Sequence, residues 1–364
     1  MSLKTETNFH SHGGNIQQEA RKLGIRAENL IDASASIVPF KLPTKLTNNL
    51  LHRLKDGSIK FYPDRSYYTV KNSISKWHNI DPSMILPGNG ASELFTWAAR
   101  EASLNGTSSL PSPCFGDYKR ALKCWNAPYT YNPLPLTWND TKPQSFPIEP
   151  KTNVIWITNP HNPTGQLWSR SSIENLLNRY NLVICDEAFI SLVPKGEDQS
   201  VINLTKSYKN LIVIRSLTKF LGIAGLRIGY VITNSDRILK WRDFRDPWPV
   251  NTIAIEAANI IMNDSKMHKK QLKKIHKWVK EEGCWLNKNL SKFSNIHPLP
   301  TTTNFQLIQS ESSLLNVYEK MKSRGILLRD CRSFNNLGDN WLRISLQKRL
   351  NNIQIINTLK EYIK

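Results

Sequence analysis

Ser216-Leu-Thr-Lys-Phe-Leu-Gly-Ile-Ala-Gly-Leu-Arg-Ile-Gly-Tyr230 follows closely on Leu211-Ile-Val-Ile214. A short β-branched run bounded by polar residues predicts a buried parallel strand. Lys219 then stands just beyond the strand's carboxyl end, the edge at which open α/β sheets gather their loops around a ligand crevice. A lysine alone at such a place is a solvated loop cation, and glycines alone are turn residues. Here Ser216 and Arg227 flank the lysine, and Gly222, Gly225 and Gly229 loosen the chain around it. A hydroxyl and a guanidinium fork suit a phosphate dianion.

A lysine beside a phosphate site points to pyridoxal 5′-phosphate, with Lys219 holding the aldehyde as a Schiff base and Ser216 and Arg227 holding the phosphate. The stretch resembles the Schiff-base motif of the fold type I aminotransferases, in the histidinol-phosphate aminotransferase-like branch. That resemblance implies an α/β fold of the aspartate aminotransferase type, with a mostly parallel sheet in a large domain and a small α+β domain. The expected division is an N-terminal arm, 1–40, lying on the small domain, a large cofactor domain, 41–240, and a small domain, 241–364.

Composition agrees with two well-buried domains. The chain has 364 residues, of which 40% are hydrophobic. No apolar run approaches the ~18 residues that span a bilayer. Met1 to Asn15 is polar and lacks the apolar core of a secretion signal, so a cytoplasmic enzyme with no membrane partner is expected. The five cysteines are widely spaced with no Cys-x-x-Cys pair, against a disulfide framework and against a structural zinc. A formal net charge of +20 would permit nucleic-acid binding. The charges are scattered, however, and Lys266 to Lys280 reads as the solvated face of a long helix, so no nucleic-acid partner is expected.

Along the chain, His12-Gly-Gly-Asn15 precedes a helical stretch from Ile16 to Leu23 that ends at Gly24. Two glycines before a helix can offer N–H groups to an anion, with His12 and Asn15 adding donors. Taken alone, the stretch reads rather as Asn15 capping the helix after a flexible Gly13-Gly14 arm. Phe61-Tyr-Pro-Asp64 is a turn in which Tyr62 is either an aromatic packed locally or, as the resemblance implies, a residue that reaches the cofactor phosphate of a neighbouring subunit. Leu86-Pro-Gly-Asn-Gly-Ala-Ser-Glu93 opens a helix, so the N–H groups of Ala91 and Ser92 and the positive end of the dipole face a phosphate.

Phe115, after Ser109-Leu-Pro-Ser-Pro-Cys114, matches the family's ring that stacks on the pyridine face; Tyr118, one turn on, touches either substrate or core. Asn159-Pro-His-Asn-Pro-Thr-Gly165 follows an apolar strand, and its prolines hold Asn162 outward. By resemblance Asn162 bonds the cofactor's 3-hydroxyl oxygen. Leu182-Val-Ile-Cys-Asp186 ends a strand in an acid that the resemblance pairs with the protonated pyridine nitrogen. With no histidine cluster nearby, a metal site is not expected. Many relatives carry tyrosine at the position of Phe189, so Asn162 or another tyrosine must take over that hydroxyl's work.

The C-terminal third predicts helices from Thr252 to Met262 and Met267 to Leu290. Strands are predicted at Thr303–Ile308, Gly325–Asp330 and Asn340–Leu346, with a closing helix from Asn351 to Tyr362. Arg343 matches the family's substrate-carboxylate arginine, a fork that lysine does not copy. Arg329 is a second candidate anion binder.

Fold does not set the reaction. Three stretches bear on it: His12 to Asn15, Asp32-Ala-Ser-Ala35 and Arg329-Asp-Cys331. Together they resemble the L-threonine-O-3-phosphate decarboxylases of cobalamin biosynthesis, although the family's Asn-Ile-Asn-Pro becomes Ser36-Ile-Val-Pro39. The resemblance implies a phosphorylated amino acid bound by His12, Gly13, Gly14, Asn15, Ser34, Arg329 and Arg343, in a homodimer with shared sites. It also implies a carboxy-lyase that releases (R)-1-amino-2-propanol O-2-phosphate. The competing expectation is histidinol-phosphate aminotransferase. A regulator with an aminotransferase-like domain is disfavoured, because the arm begins within fifteen residues of Met1 and leaves no segment for a helix-turn-helix module.

Overall fold

In Val154–Thr158, Ile155 and Ile157 join one apolar cluster while Val154 and Trp156 join another. The same division holds in Leu182–Asp186, where Val183 and Cys185 oppose Leu182 and Ile184, and in Leu211–Ser216, where Leu211 and Val213 oppose Ile212 and Ile214. Successive strand side chains point to opposite faces. Each strand therefore feeds two cores, which is why these stretches are unbroken apolar runs rather than alternating ones.

The computed structural model describes residues 13–363. The first part of the chain forms α1 (Ile16–Leu23), β1 (Ile31–Asp32), α2 (Thr44–Lys55), α3 (Tyr68–His78), β2 (Ile85–Asn89), α4 (Gly90–Asn105), β3 (Ser108–Ser112), α5 (Gly116–Lys123) and β4 (Tyr129–Pro133). The middle contributes β5 (Val154–Thr158), α6 (Arg170–Leu177), β6 (Leu182–Asp186), β7 (Leu211–Ser216), α7 (Leu217–Leu221), β8 (Ile228–Ile232) and α8 (Ser235–Phe244). The last part adds α9 (Thr252–Asn263), α10 (Ser265–Leu290), β9 (Ile296–Pro298), β10 (Phe305–Ser310), α11 (Leu315–Ser323), β11 (Ile326–Leu327), β12 (Arg329–Asp330), β13 (Trp341–Ser345) and α12 (Arg349–Tyr362).

A seven-stranded sheet of order β2-β8-β7-β6-β5-β3-β4 forms the central layer. The neighbours from β7 to β4 run parallel, whereas β8 is antiparallel to both β7 and β2. The strand at Leu211 is thus parallel on one side only, a correction to the expected parallel strand. The reversal matters for the site. Because β8 begins at the edge where β7 ends, Arg227, just ahead of β8, returns to the neighbourhood of Lys219. A mostly parallel sheet whose strands alternate with helices is the α/β arrangement expected.

A four-stranded antiparallel sheet of order β12-β13-β10-β9 lies C-terminal to it. The stretch predicted as one strand from Gly325 to Asp330 is two. Ile326–Leu327 pairs in parallel with Ile31–Asp32, and Arg329–Asp330 pairs with β13, so consecutive residues serve two different sheets. Helix ends follow local chemistry: the Asn251 side chain accepts from Ala254 N at 2.9 Å at the start of α9, and Asp264 accepts from Met267 N at 2.9 Å at the start of α10. On α10, Ile275, Trp278 and Leu286 are buried while Lys266, Lys273, Lys277 and Lys280 are exposed, the amphipathic division read from the sequence. Among the described residues no helix is long and apolar enough to cross a membrane.

Candidate active site

The strand ends β3, β5, β6 and β7 share one edge of the sheet, and β6 places Asp186 there. Its Oδ1 accepts from Ala188 N at 2.9 Å, and its Oδ2 accepts from the Tyr118 hydroxyl at 2.5 Å. Tyr118 Oη also lies 2.8 Å from Thr158 Oγ1, at the end of the adjacent strand. Burial pushes the Asp186 carboxyl up to about 6, against the pull of the Tyr118 hydrogen bond. A carboxylate so poorly solvated favours a cationic partner.

One strand over, Ser216 caps α7, its Oγ accepting from Thr218 N at 3.3 Å, and the first turn of α7 carries Lys219. Burial, then the positive fields of Arg343 and Arg227, push the Lys219 ammonium down to about 8. Its Nζ stands 5.6 Å from the centroid of the Phe189 ring. Arg227 adopts a left-handed φ of 58°, an uncommon conformation for a residue with a side chain, and its guanidinium passes beside Gly90. A Cβ on Gly90 would lie 2.4 Å from an Arg227 terminal nitrogen. Gly90, itself at φ +72°, therefore permits Arg227 to meet the N-terminus of α4, where the N–H groups of Ala91 and Ser92 have no partner within the helix.

The opposite wall comes from the smaller sheet. Arg343 donates to Asn162 Oδ1 and, at 3.2 Å, to the backbone oxygen of Ser34. Its guanidinium carbon lies 4.7 Å from the centroid of Phe305 and 5.9 Å from that of Phe334. Burial and then Arg329 push its pKa down to about 9, and Arg343 Nε is buried with no hydrogen-bond partner among the described residues. Arg329 stands opposite Arg343 in the strand register and donates to Ser333 Oγ at 2.6 Å.

Asp32 Oδ1 accepts from Ser34 N at 2.9 Å and from Ser34 Oγ at 2.6 Å, and that hydroxyl accepts from Gly14 N at 3.0 Å. A Cβ at position 13 would lie 2.5 Å from Ser34 O, so only glycine allows this approach. The stretches 13–15, 32–35 and 329–331, distant in sequence, meet here.

A cavity of about 190 Å³ collects Lys219, Ser216, Arg227, Ala91, Ser92, Phe115, Asn162 and Asp186 together with Gly13, Ser34, Arg329 and Arg343. Gly14 and Asn15 instead line an adjoining recess of about 240 Å³, which shares Gly13, Ser34 and Arg329 with the first. The Asn15 side chain bonds Gln18 rather than capping α1. His12 lies outside the described residues. Tyr62 does not line its own chain's cavity: it is 77% exposed and stacks on Trp248 with ring centroids 4.4 Å apart.

Sequence reasoning missed Thr158, Thr218 and Phe334, and left Tyr118 undecided. Tyr118 had a signal, three residues after Phe115 on the same turn. Thr218 had its place between Ser216 and Lys219. Among the described residues no three His, Cys, Asp or Glu side chains cluster to hold a metal ion.

Residues 28–356 match the family profile described as aminotransferase class I and II. The chain is 28% identical over 367 residues to the threonine-phosphate decarboxylase of Salmonella typhimurium, covering 97% of this chain and 96% of that one. It is likewise 28% identical over 364 residues to the histidinol-phosphate aminotransferase of Methanosphaera stadtmanae, covering 97% and 95%. Among solved structures, L-threonine-O-3-phosphate decarboxylase from Porphyromonas gingivalis superposes with a TM-score of 0.76 at 25% identity, covering 90% of this chain and 98% of that one. Histidinol-phosphate aminotransferase from Clostridium acetobutylicum superposes with a TM-score of 0.80 at 25% identity, covering 91% and 98%.

Proposed function

This chain belongs to the aminotransferase class I and II family, whose enzymes depend on pyridoxal 5′-phosphate, and from that premise we propose that it decarboxylates L-threonine O-3-phosphate. The cavity fits the cofactor. The gap left by Gly90 lets the Arg227 guanidinium and the unpaired N–H groups of α4 converge, as a phosphate requires. Ser216 closes that side. Asp186 suits a protonated ring nitrogen, Phe115 suits the ring face, and Asn162 would hold the ring's oxygen.

When bound, the cofactor supplies an aldehyde that condenses with amines and a ring that accepts the electron pair of a breaking Cα bond. The protein's own residues do the rest. Lys219, pushed down to about 8, has an unprotonated fraction near neutral pH that an ordinary lysine lacks; its Nζ would hold the aldehyde and, once displaced, would carry the proton that Cα takes up in place of the lost carboxylate. Arg343 would steer the substrate carboxylate, while Arg329 and the N-terminal arm would hold the phosphate and so fix which Cα bond is presented for cleavage. The products are carbon dioxide and (R)-1-amino-2-propanol O-2-phosphate, an assignment that places the enzyme in cobalamin biosynthesis.

The observation that carries this reading is Arg329 opposite Arg343 at the cavity wall. Like charges placed directly opposite on neighbouring strands repel. Two cations at one wall suit a substrate with two anionic groups, and L-threonine phosphate has a carboxylate and a phosphate where histidinol phosphate has only the phosphate.

We also infer a homodimer. Phe61, Tyr62, Tyr68, Phe244 and Trp248 are exposed large apolar side chains, and a second copy would cover them while receiving Tyr62 at its phosphate site. The deciding experiment is product analysis with L-threonine phosphate, with and without 2-oxoglutarate. Carbon dioxide release independent of the keto acid is expected. No carbon dioxide, together with turnover of histidinol phosphate only when a keto acid is present, replaces this reading by an aminotransferase.

A further inference from the structure

Asp186 and Ser216 face the cavity, and their chain neighbours Glu187 and Arg215 point to the other side of the sheet. Both neighbours are deeply buried, at 1% and 4% exposure. Arg215 Nε donates to Glu187 Oε2 at 2.8 Å, while its two terminal nitrogens grip Glu197 Oε1 and Oε2 at 2.9 and 2.8 Å. Glu187 is held further by Val201 N at 2.7 Å and Ser200 Oγ at 2.8 Å. One guanidinium thus ties the end of β6 to the end of β7, the two strand ends that present Asp186 and the Ser216–Lys219 turn.

The two histidines nearby add no positive charge. His78 from α3, bonded to Tyr230 of β8 at 2.7 Å, is pushed down to about 3 by burial and Arg215. His268 from α10, stacked on Trp77 with ring centroids 3.6 Å apart, is pushed down to about 4 by burial. Both are neutral at physiological pH. Burial raises Glu187 against the pull of Arg215; at Glu197 the arginine outweighs burial and holds the carboxyl down to about 2. Around Asp186 itself the titratable neighbours are Tyr118, Lys219 and Glu187, and of these Glu187 opposes its ionisation.

We propose that Arg215 is a positioning residue for the reaction: it locks the strand ends that carry Asp186 and Lys219, and by compensating Glu187 it keeps Asp186 ionised toward the cofactor nitrogen. The inference rests on the pyridoxal phosphate reading of the cavity. Lysine in place of Arg215 keeps one charge but reaches one carboxylate; drawn to Glu197, which the two terminal nitrogens of Arg215 grip, it leaves the Glu187 charge uncompensated beside Asp186. Glutamine in place of Glu187 keeps the shape and removes that charge.

The test uses the cofactor-loaded full chain and its Arg215→Lys and Glu187→Gln variants. The readouts are the cofactor dissociation constant, kcat and KM separately, and the absorbance titration of the bound cofactor from about pH 5 to about pH 8. Arg215→Lys is expected to raise the dissociation constant roughly tenfold, about one charge-assisted hydrogen bond, and to lower kcat more than it changes KM. Its acid limb moves to higher pH, and that of Glu187→Gln moves to lower pH. A role in packing alone does not displace the two limbs in opposite directions. Limbs that stay in place, or move together, overturn the inference while leaving the cofactor reading intact. Failure of the unmodified protein to take up pyridoxal phosphate sinks both. If Arg215→Lys does not fold, as melting would show, the isosteric Glu187→Gln decides by the direction of its own limb.

Discussion

Arg329 and Arg343 stand opposite each other in the register of β12 and β13, both 5% exposed, and no acidic side chain bonds Arg343 among the described residues. A buried cation beside another cation is a liability for folding that a bound dianion removes. Replacing Arg343 by methionine is therefore expected to raise the stability of the cofactor-free protein by about 1 kcal/mol, since an apolar side chain of similar volume loses no solvation. Decarboxylation falls on the order of a hundredfold or more with the loss of two charge-assisted hydrogen bonds to the carboxylate. Denaturant titration and steady-state kinetics on the same preparation check the two signs. A variant both less stable and fully active contradicts the assignment.

Tyr118→Phe removes the hydroxyl that donates to Asp186 Oδ2. The carboxylate loses a stabilising donor, so its pKa rises further above about 6 and the acid limb of activity shifts to higher pH. A pH–kcat profile with an unmoved acid limb would sever Tyr118 from the chemistry.

Lys219 is depressed from its ordinary 10.5 to about 8 in the folded, cofactor-free chain. Between those values the unfolded chain holds a proton that the folded chain has released, so stability rises with pH across the window. The slope is at most about 1.4 kcal/mol per pH unit from this group. Lys219→Met should abolish that contribution, be more stable than the parent at neutral pH, and lose the borohydride-fixed cofactor adduct. Denaturation of both proteins between about pH 8 and about pH 10 measures the slope.

Removing residues 1–15 takes away the Gly14 donor to Ser34 and the glycine that lines both recesses at position 13. The Michaelis constant for L-threonine phosphate is expected to rise on the order of a hundredfold with the cofactor still bound, because the proposed cradle for the cofactor phosphate lies on α4, α7 and Arg227. With the substrate phosphate unanchored, the ratio of transamination to decarboxylation should increase. Retention of the parent constant would detach the arm from substrate binding.

Tyr62, exposed in its own chain, predicts shared sites. Mixing Tyr62→Phe subunits with Lys219→Ala subunits should yield hybrids with one intact site and more activity than either parent. Activity indifferent to mixing, or a monomer at working concentration, rules the arrangement out.

The sequence by itself determined what depends on near neighbours. Lys219 after an apolar strand, Asp186 ending another, Asn162 held out by two prolines and α4 opening on Gly-Asn-Gly all follow from strand ends, turns and helix caps, whose chemistry is local. Tertiary structure decided the rest. That β8 runs against β7, and so brings Arg227 back to Lys219 and beside Gly90, depends on strand direction, which no local pattern encodes. The splitting of 326–330 between two sheets, and hence the placing of Arg329 opposite Arg343, is a matter of hydrogen-bond register. Tyr118 finds Asp186 across 68 residues, and Arg215 finds Glu187 across 28, only because parallel strands lay their ends side by side. Local propensity specifies each element; which carboxylate meets which donor is settled by the packing of elements that are remote in the chain.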